Sequence, residues 1–243
     1  MEEEQQLTKK EKRALAKEKK RQERAKENIS GKFRTLLYIV VIGALVIGGF
    51  YYLARLSSQP SKGAREKFVS YAEELNLDSG QFESDLDGGD LDGRINSGIA
   101  EGNADGVDAT PTFILNGEKL QNPRSYDDFR ALINGVIIDS DNRVSFEVGE
   151  EDRVKGNEEA GVVLIEYSDF QCPACGSYYP IVKALSEEFP EELLIVYRHY
   201  PLTNIHPNAF SAAKASEAAA NQGKFWEMHD MLFERQAEWA NLR

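Results

Sequence analysis

The chain has 243 residues and 27.3 kDa, with 41 Asp and Glu against 29 Lys and Arg and a formal charge of −12. That acidity excludes a mainly nucleic-acid-binding protein, which needs excess basic charge to neutralise phosphates, and 41% hydrophobic residues exclude wholesale disorder. Two cysteines, Cys172 and Cys175, are too few for a disulfide scaffold or a four-thiolate zinc site; as a close pair they point to redox chemistry.

In chain order, residues 1–34 hold twelve Lys and Arg against seven Asp and Glu, a net +5 that leaves −17 for the remainder. From Glu2 to Asn28 the only large aliphatics are Leu7 and Leu15, too few for a heptad seam. The stretch reads as a solvated tail, or as one that touches anionic lipid headgroups. Thr35 to Ala54 (TLLYIVVIGALVIGGFYYLA) carries no charge. About 20 such residues cross a hydrocarbon core of about 30 Å as a helix, and Tyr38, Tyr51 and Tyr52 sit near its ends as interfacial aromatics do. The apolar run exceeds the h-region of a signal peptide, so it predicts a retained single transmembrane helix over 35–54 rather than a cleaved leader. The basic flank (Lys32, Arg34 and the cluster Lys17 to Lys26) keeps the N-terminus cytoplasmic. Everything after Arg55 is then expected outside the cell membrane, with the lipid bilayer as one partner.

Residues 55–62 read as a polar linker, with LSSQPSKG at 56–63. Residues 64–77 place Phe68, Ala72 and Leu75 on one helical face. The acidic, glycine-rich stretch that follows allows short helices weakened by its glycines. Its Asp85, Asp87, Asp90 and Asp92 fit no EF-hand register and read as a solvated acidic face. Thr112 to Leu115 predicts a strand, Asn116-Gly117 a tight turn and Glu118 to Leu120 the return strand. Ser125 is a candidate N-cap for a helix to Ile133, with Asn134-Gly135 and Asp139 to Asn142 as turns and Val144 to Val148 as a strand. VVLIEY (162–167) predicts a strand buried on both faces, SDFQ a turn, CPACGSYYPIVKALSEEF a helix and ELLIVYRHY another strand. Residues 207–243 read as alanine-rich helices with Phe225, Trp226, Met228, Met231, Leu232 and Phe233 as core candidates.

Strand, short turn, Cys-Pro-Ala-Cys, helix is a physical device. At a helix start, unpaired N–H groups and the helix dipole stabilise a thiolate on Cys172. Pro173 suits the first helical position. Three residues on, Cys175 lies on the same side within disulfide reach and more buried. A fixed disulfide or inert core cysteines are the blander alternatives. His199, His206 and His229 show no finger spacing, so no metal or cofactor is expected.

Four stretches carry a family resemblance: VVLIEYSDFQCPACGSYYP, YRHYPL, HPNAFSAAKASEAAANQGKFWEMHDMLFE and GVDATPTFILNGEKL with its following helix. Together they resemble the DsbA-like thiol:disulfide oxidoreductases, which implies an α/β thioredoxin fold with a helical insertion. It further implies Cys172 as nucleophile, Cys175 as resolving thiol and Thr110-Pro111 as the cis-proline turn where a substrate strand pairs. Pro173 and Ala174, between the cysteines, join that substrate-binding surface. Glu166 matches a buried acid that relays a proton to or from Cys175, its alternative being a solvated strand-end carboxylate. His199 and His229 match family positions and read as structural. The dipeptide Pro-Ala departs from the Pro-His of strongly oxidising members, so their redox potential does not carry over.

Order departs too. In the family the cysteines come first and the proline hairpin last, whereas here Thr110-Pro111 precedes Cys172. Residues 63–133 match the C-terminal half and 144–243 the N-terminal half of one domain spanning 63–243. Circular permutation, a domain swap or an altered joining of segments each give this order, and a simple permutation requires Arg243 within about 25 Å of Gly63. The resemblance implies a membrane-anchored extracytoplasmic oxidoreductase acting on exported proteins with thiols or disulfides, served by a redox partner. A reductase or isomerase, or a non-catalytic binding or chaperone module around Pro111, are the alternatives.

Overall fold

The computed structural model describes residues 17–20, 40–49, 61–138, 149 and 152–242. Contacts divide the chain into two units, 1–57 and 58–243. In the first, residues 17–20 and 40–49 are helical, and Leu45, Val46 and Ile47 are exposed. Among the described residues no helix is long and apolar enough to cross a membrane. The predicted span 35–54 is therefore described only over 40–49, and its remainder lies outside the described residues, as does most of the basic tail.

The second unit orders its elements as α1 (Lys62–Glu74), α2 (Ser79–Asp87), α3 (Asp92–Ala104), β1 (Thr112–Leu115), β2 (Glu118–Lys119), α4 (Tyr126–Ile138), β3 (Arg153–Gly156), β4 (Val162–Ser168), α5 (Pro173–Glu188), β5 (Leu193–His199), α6 (Ala209–Ala220), α7 (Phe225–Glu234) and α8 (Gln236–Trp239). One mixed sheet runs in the order β2-β1-β4-β5-β3. β4 pairs parallel with β5 and antiparallel with β1, and all seven of its residues are buried, as an apolar run without alternation requires.

Three apolar clusters follow from this alternation of faces. Val162 and Leu164 pack with Phe113, Phe129, Ile133 and Leu185 under α4 and α5, with Phe113 and Phe129 edge to face at 4.9 Å. Val163, Ile165 and Tyr167 point the other way, towards Val107 and Tyr200. A helical layer of α1, α2, α6, α7 and α8 encloses Phe68, Phe82, Leu86, Leu232 and Trp239. Its two sequence-distant parts are tied by Asn208, whose Oδ1 accepts Ser61 N at 3.2 Å while its Nδ2 donates to Leu242 O at 2.9 Å. A Cβ added to Gly63 would stand 3.3 Å from Leu242 Cδ1. Residues 63 and 242 are neighbours, which meets the adjacency a simple permutation requires; residue 243 lies outside the described residues.

Several boundaries differ from expectation. α1 begins at Lys62, inside the stretch read as linker, because Ser61 caps it by accepting Ala64 N. α4 runs through Asn134-Gly135 to Ile138 instead of turning there. Tyr126, Val136 and Ile137 pack beside Phe129 and Ile133, and that burial outweighs the roughly 1 kcal/mol helix cost of a glycine. The strand expected at 144–148 lies outside the described residues. β3, with two cations in four residues, carried no strand pattern; its pairing with β5 from Arg153↔Tyr197 to Gly156↔Leu194 makes it one.

Two glycines test this packing. A Cβ on Gly98 in α3 would stand 2.7 Å from His199 O, whereas one on the exposed Gly135 in α4 meets nothing within 4 Å. Gly98→Ala is expected to destabilise the protein by about 1–3 kcal/mol through overpacking. Gly135→Ala is expected to stabilise it by about 0.5–1 kcal/mol. Urea unfolding of both variants measures the opposite signs.

Candidate active site

β4 ends at Ser168, and the loop Asp169 to Gln171 turns the chain into α5 with Cys172 as its N-cap and Pro173 in the first turn. Asp169 fixes this turn with both carboxylate oxygens and its carbonyl. Its Oδ1 accepts Gln171 N at 2.7 Å, its Oδ2 lies 2.6 Å from His206 Nδ1 and accepts Leu202 N at 2.9 Å, and its carbonyl accepts Cys172 N at 3.0 Å. From α8, Gln236 Nε2 donates to the carbonyls of Phe170 and Cys172 at 2.7 and 2.9 Å. The residues that carry the cysteines are thus held from both flanks.

Cys172 and Cys175 are free thiols, 7% and 0% exposed. The Thr110-Pro111 peptide bond is cis and brings Thr110 O to 3.4 Å from Cys172 Sγ. The turn is positioned by β1, which pairs with β4 through Thr112↔Tyr167 and Phe113↔Glu166. Pro173 and Ala174 are exposed beside it. All four residues expected at a substrate surface therefore border Cys172 or adjoin residues that do.

The two thiols are driven apart electrostatically. The Cys175 thiol, the backbone N–H groups of Cys175 and Ala174 and Thr110 stabilise the Cys172 thiolate against the opposing cost of burial, and its pKa falls from 9.0 to about 5. Burial, with the Cys172 sulfur beside it, pushes Cys175 well above the ordinary range. Glu166 is 3% exposed, and desolvation raises it to about 7 against a smaller opposing effect of Ser168. The solvated alternative for Glu166 is thereby overturned.

His199 lies 2.9 Å from Glu217 Oε1, a buried carboxylate that also takes Arg94 and Arg153. His229 is packed among aromatic rings, 4.8 Å from Tyr197 and 4.9 Å from Trp226. Both bear out a structural reading. Among the described residues no group of three or more His, Cys, Asp or Glu could hold a metal ion. Sequence reasoning passed over Asp169 and Ser168 and weighed His206 only as a zinc ligand. SDFQ reads as an ordinary turn, and only the fold shows what its aspartate holds.

A family model described as Thioredoxin matches residues 49–135 and 149–243. Among curated proteins, the chain is 47% identical over 95 residues to a Na(+)/H(+) antiporter NhaA 1 of Mycolicibacterium vanbaalenii, covering 38% of this chain and 15% of that protein. A Na(+)/H(+) antiporter NhaA 1 of Salinispora arenicola is 49% identical over 89 residues, 37% of this chain and 14% of the relative. A Na(+)/H(+) antiporter NhaA of Herminiimonas arsenicoxydans is 44% identical over 87 residues, 36% and 14% respectively. The chain thus matches 14–15% of the length of these relatives.

Two titrations test the site. Alkylation of Cys172 by iodoacetamide is expected to be half-maximal near pH 5, well below the roughly 8.5 of a free thiol. For Glu166 the folded pKa of about 7 lies above the ordinary 4.5. Between these values the unfolded chain has released a proton that the folded one keeps, so the contribution of Glu166 to stability falls as pH rises from 4.5 to 7, by about 3 kcal/mol. Glu166→Gln removes that fall. Relative to wild type it is expected to gain stability at pH 8 compared with pH 4, read as the difference between urea midpoints.

Proposed function

The chain belongs to the thioredoxin family, and on that premise we propose that it is a membrane-anchored, extracytoplasmic DsbA-like oxidoreductase that exchanges disulfides with exported proteins. The observation that carries this reading is the asymmetric cysteine pair. Cys172 is a thiolate at neutral pH at the N-terminus of α5, and Cys175 is a buried, neutral thiol three residues on.

In the oxidising direction a client thiolate attacks Cys172 Sγ of the Cys172–Cys175 disulfide. The client–Cys172 S–S bond forms, the old S–S bond breaks, and Cys175 leaves with the electron pair and takes a proton. A second client thiolate then attacks the client sulfur of the mixed disulfide, the client becomes oxidised, and Cys172 departs as the stable thiolate. A separate redox partner must reoxidise the pair. A low Cys172 pKa stabilises the reduced enzyme and so favours this direction. The cis Thr110-Pro111 turn beside Cys172 gives a client strand backbone to pair with.

The anchor rests on the uncharged run 35–54 with its basic N-terminal flank, which favours a cytoplasmic N-terminus and an exported catalytic unit. Circular permutation is the reading of the segment order we favour, supported by the contact between residues 63 and 242 and by one continuous sheet in which β1 from the first half pairs with β4 from the second. Antiport is not carried over to this chain, because the likeness covers 15% or less of the relatives named for it.

The full chain in detergent, equilibrated in glutathione buffers, is expected to give a reduction potential more positive than the roughly −270 mV of thioredoxin. Reduced Cys175→Ser is expected to accumulate a mixed disulfide with a client that carries a disulfide, because the Cys172 thiolate attacks that bond and no second thiol resolves the product, and Cys172→Ser is expected to form none. A potential at or below that of thioredoxin assigns the protein to reduction. Full activity of Cys172→Ser in protecting an unfolded client would mean a binding module instead.

A further inference from the structure

We infer that Asn122, in the chain that returns from the β1–β2 hairpin, is a positioning residue for the client strand, an inference that rests on the exchange reaction above. β1 and β2 pair through Ile114↔Lys119 and Leu115↔Glu118, and Leu120 N donates to Phe113 O at 2.8 Å one rung on. Carried two residues further, the same register sets Asn122 opposite Pro111. β2 has ended at Lys119 by then, and the side chain continues the pairing: Asn122 Nδ2 donates to Pro111 O at 2.6 Å. The hairpin thus gains one last rung, made by a side-chain amide, at the turn beside Cys172.

That rung fixes the backbone a client has to use. The pyrrolidine ring sets φ of Pro111, and the bond to its carbonyl oxygen holds the peptide plane that ψ would otherwise turn. On the other side of the turn, Thr112 Oγ1 donates to Ala109 O at 2.7 Å, and Lys119 Nζ ties the preceding loop to the same hairpin by donating to Gly106 O at 2.7 Å. Between these fixed points lies Thr110, whose carbonyl oxygen stands 3.4 Å from Cys172 Sγ. A strand added beside Cys172 pairs through main-chain N–H and C=O groups. It binds best where those groups already point the right way, because ordering them on binding costs affinity. Without the Asn122 amide, the Pro111 carbonyl would in addition be a free acceptor beside the incoming strand.

Exposure separates this role from a purely structural one. Asn122 is exposed, whereas Pro111 and Thr112 are buried, so truncating its side chain opens no cavity in the core. The amide is neutral and adds no charge beside the Cys172 thiolate, which is stabilised by Cys175, by Thr110 and by the amide of Ala174. Asn122 therefore bears on the recognition of a peptide and not on the reactivity of the sulfur. It favours disulfides carried on extended chain over small disulfides with the same leaving group.

Stopped-flow mixing of the reduced protein with two disulfides that share a leaving group tests this. One is dithiodipyridine, the other a short peptide whose central cysteine carries a thiopyridyl group. In each, the Cys172 thiolate attacks one sulfur, its new S–S bond forms as the old one breaks, and the other sulfur leaves with the electron pair as pyridinethiolate. Asn122→Ala is expected to slow the peptide reaction by about threefold to tenfold, the worth of one hydrogen bond of ordinary net strength, and to leave the dithiodipyridine reaction within about twofold of wild type. Asn122→Asp keeps the shape and replaces the donor by an acceptor. Relative to its own rate with dithiodipyridine, it is expected to slow the peptide at least as much. With a peptide N-methylated on both sides of its cysteine, which cannot pair, wild type and Asn122→Ala are expected to agree within about twofold, since both changes remove one interaction. An unchanged peptide rate in Asn122→Ala, an equal slowing with dithiodipyridine, or the same loss with the N-methylated peptide would each overturn the assignment. No pyridinethiolate from wild type and dithiodipyridine would instead remove the exchange reading itself, and this role with it.

Discussion

Strand β4 has no solvent face, and that constraint organises the rest of the unit. Seven consecutive buried residues must pair on both edges, with β1 and β5, and must be covered on both faces. The C-terminal end of such a strand is where the chain leaves the sheet and a helix begins, so the first turn of α5 presents its unpaired amides beside buried groups. Cys172 occupies the cap, Cys175 the buried side of the first turn, and Glu166 and Ser168 the strand beneath. One element therefore sets the position of both the reacting sulfurs and the acid under them.

Burial acts on all of these groups alike, and what differs is the supply of donors. Cys172 has backbone N–H groups and a neighbouring thiol turned towards it, which overcome desolvation and leave it an anion. Cys175 and Glu166 lack enough such donors, and desolvation keeps the proton on Cys175 and raises Glu166 to about 7. A thiolate, a neutral thiol and a carboxyl raised into the neutral range within one strand–helix junction are thus a single arrangement of dipoles. Each proton held beneath the thiolate limits repulsion on the sulfur that must attack or leave.

Much of this was legible in the residues themselves. The apolar run VVLI that opens VVLIEY announces a strand buried on both faces, and Cys-Pro-Ala-Cys after a short turn announces a helix start, because proline's missing N–H and fixed φ suit that place. The hairpin at Asn116-Gly117 appears where expected, with both residues at positive φ. The failures have equally local causes. β3 is an edge strand of four residues, too short for the alternation of Arg153, Val154 and Lys155 to stand out, and its pairing with β5 is a long-range fact. Gly135 signals a turn, yet burial of the apolar residues around it keeps the helix going. Asp169 carries no motif; its worth lies in Leu202 and His206, more than thirty residues away.

The helical layer has a consequence for the order in which the molecule is made. α1 buries Phe68 against Trp239 of α8 at 5.2 Å, and Asn208 joins Ser61 to Leu242. Contacts of such sequence separation cannot close until the distant segment exists, and they carry a large loop-closure entropy when they do. During synthesis the apolar faces of α1 and α2 therefore wait, uncovered, for some 150 residues, a span in which they are open to misassociation. The adjacency that makes the finished layer compact also makes its first-made helices the last to find their partners.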